Sequence, residues 1–559
     1  RREPKMMMDS RPYIHTEKTE EPENPRAGAI SAFLLGLLLL LVFVGLITFG
    51  MLYAFDIVDE GWYDDSNVPF AQNVNTAAMM NTLQDLYDIA QKYNGSRAVK
   101  LGYNESLEYV KGRLTDYYKD ITVQPFEIKE NADIEESKFS QTSPEAITYT
   151  YNTDFISILN QGSGDVTGPV FLIGKPCDTS NWLGFPAGHV AFALWTGECR
   201  FRDIYGNAQA NGAIGALIAS DDPSSAPVST GLRAPGTIPG FSLSGSLGSL
   251  FHSELEAGTI LTVSLFSKVE TTVTTTSNLI VCTDEGLADS TIIIGSHLDS
   301  VPAGPGINDN GSGSAVNLEI ALEWALQDVG NNGQVNRVCF AWWSAEEMGL
   351  LGSTFFVNDL VTNKRIGNVA LNINMDMVGS PNAFLGIYNG SEAEIGIRPQ
   401  SETITHLFIN YFNSKGLPYA YTSFDGRSDY GPFIANGVPA GGLFTGAEEI
   451  KDTAERTEFG GMANAAYDPC YHQYCDTVNN IDQQVLLDMA RSCATVAFKL
   501  ATQENLRTFL IDDDNRKAEI KPVVRSVQDH RLAEDGYRHI VHSRSHSDTS
   551  KSLDKTFKD

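Results

Sequence analysis

The chain is short of positive charge. Its 559 residues hold 40 Lys and Arg against 70 Asp and Glu, a formal net charge of -30. The two ends, 1–26 and 511–559, are close to balance, so nearly all of the excess lies on 27–510. A body of that charge repels phosphate backbones, which excludes nucleic acid as a partner. Histidine is scarce as well: of ten, only His297, His406 and His472 fall in the part from Thr276 to about residue 510. None of the seven cysteines is paired at zinc-finger spacing, and there is no internal repeat.

Charge vanishes altogether between Ala27 and Phe55. That run exceeds the ~20 apolar residues needed to cross a bilayer and is longer than the ~7–15-residue core of a secretory signal. Arg11, Lys18 and Arg26 precede it, and no Lys or Arg occurs from Asp56 through Gln91. Positive charge marks the cytosolic side, so the segment predicts a single-pass type II signal anchor. Residues 1–26 are then cytosolic, and everything after 55 is lumenal or extracellular, in a vacuole or lysosome or at the cell surface. Cysteine usage fits an oxidising space: Cys470 with Cys475, and Cys177 with Cys199, are disulfide candidates. Cys282, Cys339 and Cys493 sit in apolar runs and are expected to be buried thiols. Asn-x-Ser sequons at Asn94, Asn104, Asn310 and Asn389 predict a glycoprotein.

After a linker at 56–72, Met80, Leu83, Leu86 and Ile89 recur at helical spacing. A second helix is expected from Glu105 to about Lys119, then a strand over Ile121–Ile128. From 149 to 268 short apolar runs alternate with Gly, Pro and Ser, which predicts a mostly β insert. Beyond it, strands at 279–282, 291–295, 337–343 and 370–375 alternate with helices at 314–326 and 481–503. Such alternation predicts an α/β sheet flanked by helices. The polar segment 509–559 reads as a disordered tail.

Five stretches carry the chemistry: Ile294-Gly-Ser-His297-Leu-Asp299, Gly306-Ile-Asn-Asp309-Asn-Gly, Trp343-Ser-Ala-Glu346-Glu347, Asn374-Met-Asp376, and Asp468-Pro-Cys-Tyr-His472-Gln-Tyr-Cys475-Asp476. Four of them fall at or just after the carboxyl end of a predicted strand, where open α/β sheets collect ligands. Together they hold two imidazoles and several carboxylates with no matching Lys or Arg. Gathered in one pocket, those carboxylates repel one another unless a polycation sits among them. Two divalent ions ~3.5–4 Å apart, bridged by one carboxylate, resolve the repulsion. The imidazole–carboxylate mixture favours zinc over calcium or magnesium.

With these motifs in place, residues 277–501 resemble the M28 family of dinuclear zinc aminopeptidases, in particular its secreted bacterial and vacuolar fungal leucyl-type members. Asp425-Gly-Arg-Ser-Asp429-Tyr and Gly437-Val-Pro-Ala-Gly-Gly resemble that family's substrate-side loops. Gly197-Glu-Cys-Arg-Phe-Arg and Asn211-Gly-Ala-Ile-Gly-Ala resemble a protease-associated (PA) domain. The resemblance implies a zinc-exopeptidase fold formed by 73–148 and 269–508, interrupted by a PA insert at 149–268. It implies that His297 and Asp376 hold one zinc, that Glu347 and His472 hold the other, and that Asp309 bridges them. It makes Glu346 the general base, Tyr471 the group that steadies the oxyanion, and Arg427 a substrate contact. Asp299 is expected to accept the second imidazole N–H of His297. Glu346 and Asp376 are expected to meet the free α-amine of a peptide, with a bulky, leucine-like first residue preferred. A membrane carboxypeptidase of the same superfamily normally carries a long helical domain after its last histidine ligand, and here only about 30 residues expected to be ordered follow His472. A receptor of the transferrin-receptor kind predicts broken ligands, whereas all five and the base are present. Sequence assigns no oligomeric state.

Overall fold

The computed structural model describes residues 68–512 other than Asn332. The predicted anchor 27–55, the predicted cytosolic tail 1–26 and the predicted disordered tail beyond 512 lie outside this range, whereas 509–512, read as the start of that tail, are ordered because Leu510 is buried in the core. Among the described residues no helix is long and apolar enough to cross a membrane.

The first long helix, α1 (Thr76–Lys92), is capped by Asn75, whose side chain accepts from the Ala78 N–H. It buries Met79, Leu83, Leu86 and Ile89 on one face. The segment read as linker already contains a helical turn, Pro69–Asn73, because Phe70 is drawn inward to pack 5.0 Å from Trp324. Helix α2 (Tyr103–Leu114) stops short of the predicted Lys119. There Tyr118 turns inward and donates to the Ala321 carbonyl at 2.8 Å.

Strand β1 (Ile121–Ser143) runs fifteen residues past the predicted end at Ile128. Its continuation buries Ser137, Phe139 and Gln141 on one face, and with a single apolar residue among the three, alternation of apolar residues does not reveal it. Main-chain pairing and the burial of Phe139 hold it. The insert follows, with β2 (Ile147–Thr148), β3 (Phe155–Ser157), β4 (Gly164–Ile173), β5 (Val190–Trp195), α3 (Phe201–Ala210), β6 (Gly215–Ser220), β7 (Gly240–Leu243) and α4 (Gly245–Glu256). Strands β4 to β7 are parallel neighbours, so the insert is mixed α/β rather than mostly β. Strand β8 (Thr262–Cys282) then returns antiparallel to β1, from Ser143 opposite Thr262 to Ile121 opposite Val281. One end of β8 pairs with β4 in the insert, the other with β10 in the peptidase sheet. A two-stranded ribbon thus joins the two sheets, and β8 passes through residues 268 and 269 without a break.

The peptidase sheet continues through β9 (Leu287–His297), α5 (Gly313–Leu326), β10 (Asn336–Trp343), α6 (Leu351–Thr362), β11 (Val369–Met375), β12 (Gly386–Tyr388), α7 (Arg398–Lys415), β13 (Ala420–Thr422), β14 (Ala440–Phe444) and α8 (Gln483–Thr502). Its order is β13-β12-β14-β11-β9-β10-β8, with β14, β11, β9 and β10 parallel. Both faces are covered, as a parallel sheet requires. Ile292 and Ile294 of β9 join α1, α5 and α8 in one core, and Ile293 joins Val357 and Leu360 of α6 in another. Burying a side chain of this size contributes about 1.5–3 kcal/mol.

Both predicted disulfides form, Cys177–Cys199 and Cys470–Cys475. The expectation that Cys282 and Cys339 are thiols is corrected: they form a third disulfide. The two cysteines lie directly opposite each other on the antiparallel neighbours β8 and β10, a register that spacing along the chain does not disclose. Cys493 is a buried free thiol, as expected.

Candidate metal centre

Three adjacent parallel strands deliver functional side chains to one edge of the sheet. His297 ends β9, Glu346 and Glu347 follow β10, and Asp376 follows β11. Asp309 sits in the turn Ile307–Ser312 that opens α5. His472 lies in the loop closed by Cys470–Cys475, with its backbone in the left-handed region at φ 56°. That conformation is unfavourable for a non-glycine residue, so the surrounding loop has to impose it.

These six side chains converge. The two carboxylate oxygens of Asp309 face different imidazoles: Oδ1 is 3.3 Å from His297 Nε2, and Oδ2 is 3.0 Å from His472 Nε2. Asp376 Oδ1 lies 3.3 Å from His297 Nε2, and Glu347 Oε2 lies 3.1 Å from His472 Nε2. Three sets able to hold a metal result: His297–Asp309–Asp376 and Asp309–Glu347–His472, which share Asp309, and His297–Glu346–Glu347, which does not include it. Glu346 Oε2 stands 3.9 Å from His297 Nε2. His297 Nε2, Glu347 Oε1 and Asp376 Oδ1 are buried and make no hydrogen bond. Buried polar atoms without partners are rare in folded proteins, and a cation among them would satisfy all three. The donor set of two imidazoles and three carboxylates fits zinc.

The electrostatics agree with that fit. Burial alone would raise the Asp309 carboxyl, yet His297 and His472 on either side hold it well below the usual range. Glu346 is pushed well above its ordinary value by burial, and nearby Glu347, Asp429 and Asp376 add to the shift against the pull of His297.

Asp299 occupies a different place from the one expected. Its main-chain oxygen, not its carboxylate, is within hydrogen-bond distance of His297 Nδ1, at 3.2 Å against 3.7 Å. The carboxylate instead accepts the backbone N–H groups of Glu346 and Glu347, at 3.1 and 3.4 Å. It therefore orients the turn that presents those two side chains. Burial, the largest influence, pushes its carboxyl up to about 7.

Other residues complete the frame. Asp476 accepts the N–H groups of Asn308 and Asp309, at 2.8 and 3.1 Å, and so aims the shared carboxylate. Asp468 accepts from Asn308 and Asn480, tying the His472 loop to the Asp309 turn. Ser428 donates to Asp376 Oδ2 at 2.6 Å, leaving Oδ1 to face His297. Asp476 and Ser428 lie inside motifs legible in the sequence, but a carboxylate or hydroxyl that binds backbone or another carboxylate leaves no spacing signature. Tyr471 stacks on His472 with ring centroids 3.8 Å apart, and exposed Arg427 lies within electrostatic reach of Tyr471. His406, on α7, belongs to none of these sets.

Asn310, beside the shared carboxylate, is fully buried. Its Nδ2 donates to the Met375 carbonyl at 2.8 Å, and its Oδ1 accepts from Gly313 at 2.8 Å. A glycan on that nitrogen is incompatible with the fold. Glycopeptide mapping of protein expressed in glycosylating cells should find Asn310 bare, while exposed Asn94 and Asn104 remain accessible. Full occupancy at Asn310 would contradict this placement of the turn.

Two imidazoles, one buried and one half-buried, and several carboxylates gathered at the carboxyl ends of parallel strands around one shared carboxylate make a site suited to a metal-dependent hydrolase. Comparison with known proteins gives the family. The Peptidase family M28 model matches residues 278–497, and the PA domain model matches 149–250. An aminopeptidase of Pseudomonas aeruginosa is 36% identical over 470 residues, covering 80% of this chain and 84% of its own. Leucine aminopeptidase 2 of Arthroderma otae is 32% identical over 480 residues, covering 82% and 92%. The solved aminopeptidase from Aneurinibacillus sp. strain AM-1 shares the fold, with a TM-score of 0.58 at 23% identity over 78% of this chain and 96% of that one. The chain belongs to peptidase family M28 and carries a PA domain.

Proposed function

We propose that this M28 enzyme is a two-zinc aminopeptidase, anchored in a membrane by residues 27–55, with its catalytic part lumenal or extracellular. It removes a bulky apolar first residue, such as leucine, from peptides. The observation that supports two metals is the Asp309 carboxylate, each of whose oxygens faces a different imidazole. His297, Asp376 and Asp309 would hold one zinc, and Glu347, His472 and Asp309 the other. When bound, the pair supplies Lewis acidity toward the scissile carbonyl and acidifies water near neutral pH.

The chain's own groups do the rest. Glu346 takes a proton from the attacking water and returns it to the leaving amine. Its backbone N–H, fixed by Asp299, keeps the carboxylate aimed. The Tyr471 hydroxyl donates to the oxyanion as it forms. Glu346 and Asp376 bind the substrate's α-ammonium, which confines cleavage to N-termini, and Arg427 contacts substrate from the rim. The preference for leucine is supported by the printed name of the Arthroderma relative, and the anchor by the uncharged run and its flanking charges.

The test is hydrolysis of leucine p-nitroanilide by the full chain, before and after chelation and after zinc is restored. Activity that is lost on chelation and returns with two zincs per chain is expected. Two bound zincs without activity on N-terminal substrates, but with release of C-terminal residues, would replace the aminopeptidase reading by a carboxypeptidase.

A further inference from the structure

Arg97 lies midway along the connection between α1 and α2, two hundred residues or more from any proposed ligand. It is fully buried. Among the described residues no carboxylate pairs with it; every guanidinium contact is to a main-chain carbonyl. Nε donates to Pro305 at 2.8 Å, Nη1 to Leu298, and Nη2 to Gly306. All three acceptors belong to 298–306, the loop that connects His297 to the turn bearing Asp309.

That loop needs outside donors. It contains Pro302 and Pro305, forms no regular structure, and is largely buried, so its carbonyls cannot be satisfied within a ladder or by bulk water. The 96–97 dipeptide supplies further bonds: Ser96 Oγ donates to the Val301 carbonyl at 2.9 Å, and the Arg97 N–H donates to Ser300 Oγ at 3.0 Å. The fit is close on the ligand side. Gly306 has φ 62°, and a Cβ there would stand 2.3 Å from the Asp309 carbonyl oxygen and 3.2 Å from Arg97 Nη2.

A buried guanidinium without an ion pair is costly unless its field is answered. Here Asp299, Asp476, Asp309 and Glu347 answer it at longer range. The planar fork of arginine suits three diverging acceptors in a way a lysine ammonium on a flexible stem does not.

We propose that Arg97 is a positioning residue of the metal centre. It clamps the 298–306 loop so that His297 and Asp309 face each other at metal-holding distance, and it sets a permanent positive charge behind the carboxylates. The inference rests on the two-zinc reading above.

The experiment compares Arg97→Lys and Arg97→Met with wild type in the full chain. Zinc affinity is measured by competition with a chromogenic chelator, melting of the metal-free proteins by circular dichroism, and kcat and KM with leucine p-nitroanilide. Loss of a group that orients metal ligands typically lowers affinity ~10–100-fold. That range is expected for Arg97→Met, with Arg97→Lys between it and wild type because it keeps the charge and loses the fork. The metal-free variants should still melt cooperatively, and kcat should fall more than KM rises. Unchanged zinc affinity in both variants, or failure of both to fold, overturns the proposal. Wild type binding fewer than two zincs would instead overturn the two-zinc reading on which it stands.

Discussion

Glu346→Gln is expected to lower kcat on leucine p-nitroanilide by at least ~10²-fold, the lower end of what a positioned general base contributes, while zinc content stays at the wild-type value. The substitution keeps the side chain's shape and removes only its ability to take a proton. The main chain is unaffected, because the bond that holds it runs from the Glu346 N–H to Asp299 Oδ1 at 3.1 Å. Glu346 reaches His297 Nε2 only at 3.9 Å and belongs to neither of the sets that share Asp309, so metal should remain. Turnover near the wild-type rate would remove Glu346 as the base. Loss of zinc along with activity would move it into the ligand set.

Asp309→Asn should do the opposite and act on metal first. One carboxylate serves both of the donor sets that share it, and an amide presents one oxygen and one N–H group pair. One imidazole would then face a donor where it had faced an acceptor. Since perturbing a group behind a ligand already costs ~10–100-fold in metal affinity, a change to the shared ligand should exceed ~10²-fold. Zinc measured after dialysis is expected to fall to one per chain or fewer, with activity falling in parallel. Two zincs retained at wild-type affinity would mean that Asp309 does not bridge.

The centre was legible in the sequence because its groups stand at strand ends, where an apolar run such as Ile292–Ile294 stops and His297 or Asp376 follows. Such a junction combines two local signals, and both survive without a structure. What escaped notice depends on contacts between distant segments. Proximity in sequence points the Asp299 carboxylate at His297, yet it serves the turn after β10, because the β9–β10 pairing brings Glu346 alongside it. Cys282 and Cys339 read as thiols since each sits in an apolar run, and only the antiparallel register of β8 and β10 sets them opposite each other. The far half of β1 shows no hydrophobic alternation, since of its alternating buried positions Ser137, Phe139 and Gln141 only one is apolar. Arg97 carries no local signal in the sequence. Its meaning comes from three carbonyls over two hundred residues away.

The interleaving of the two domains also orders events in time as the chain is made. Helix α1 packs in the same core as α5, whose first residue, Gly313, is synthesised more than two hundred residues after Lys92. At ~5–20 residues per second the delay is roughly 10–45 s. Throughout it, Met79, Leu83, Leu86 and Ile89 have none of their β9, β10 or α5 partners. The insert's four parallel strands, by contrast, are all contained between Gly164 and Leu243, so their pairing is open to it well before the peptidase sheet can close. The order of synthesis therefore lets the insert's strands pair while an apolar helix still waits for its partners.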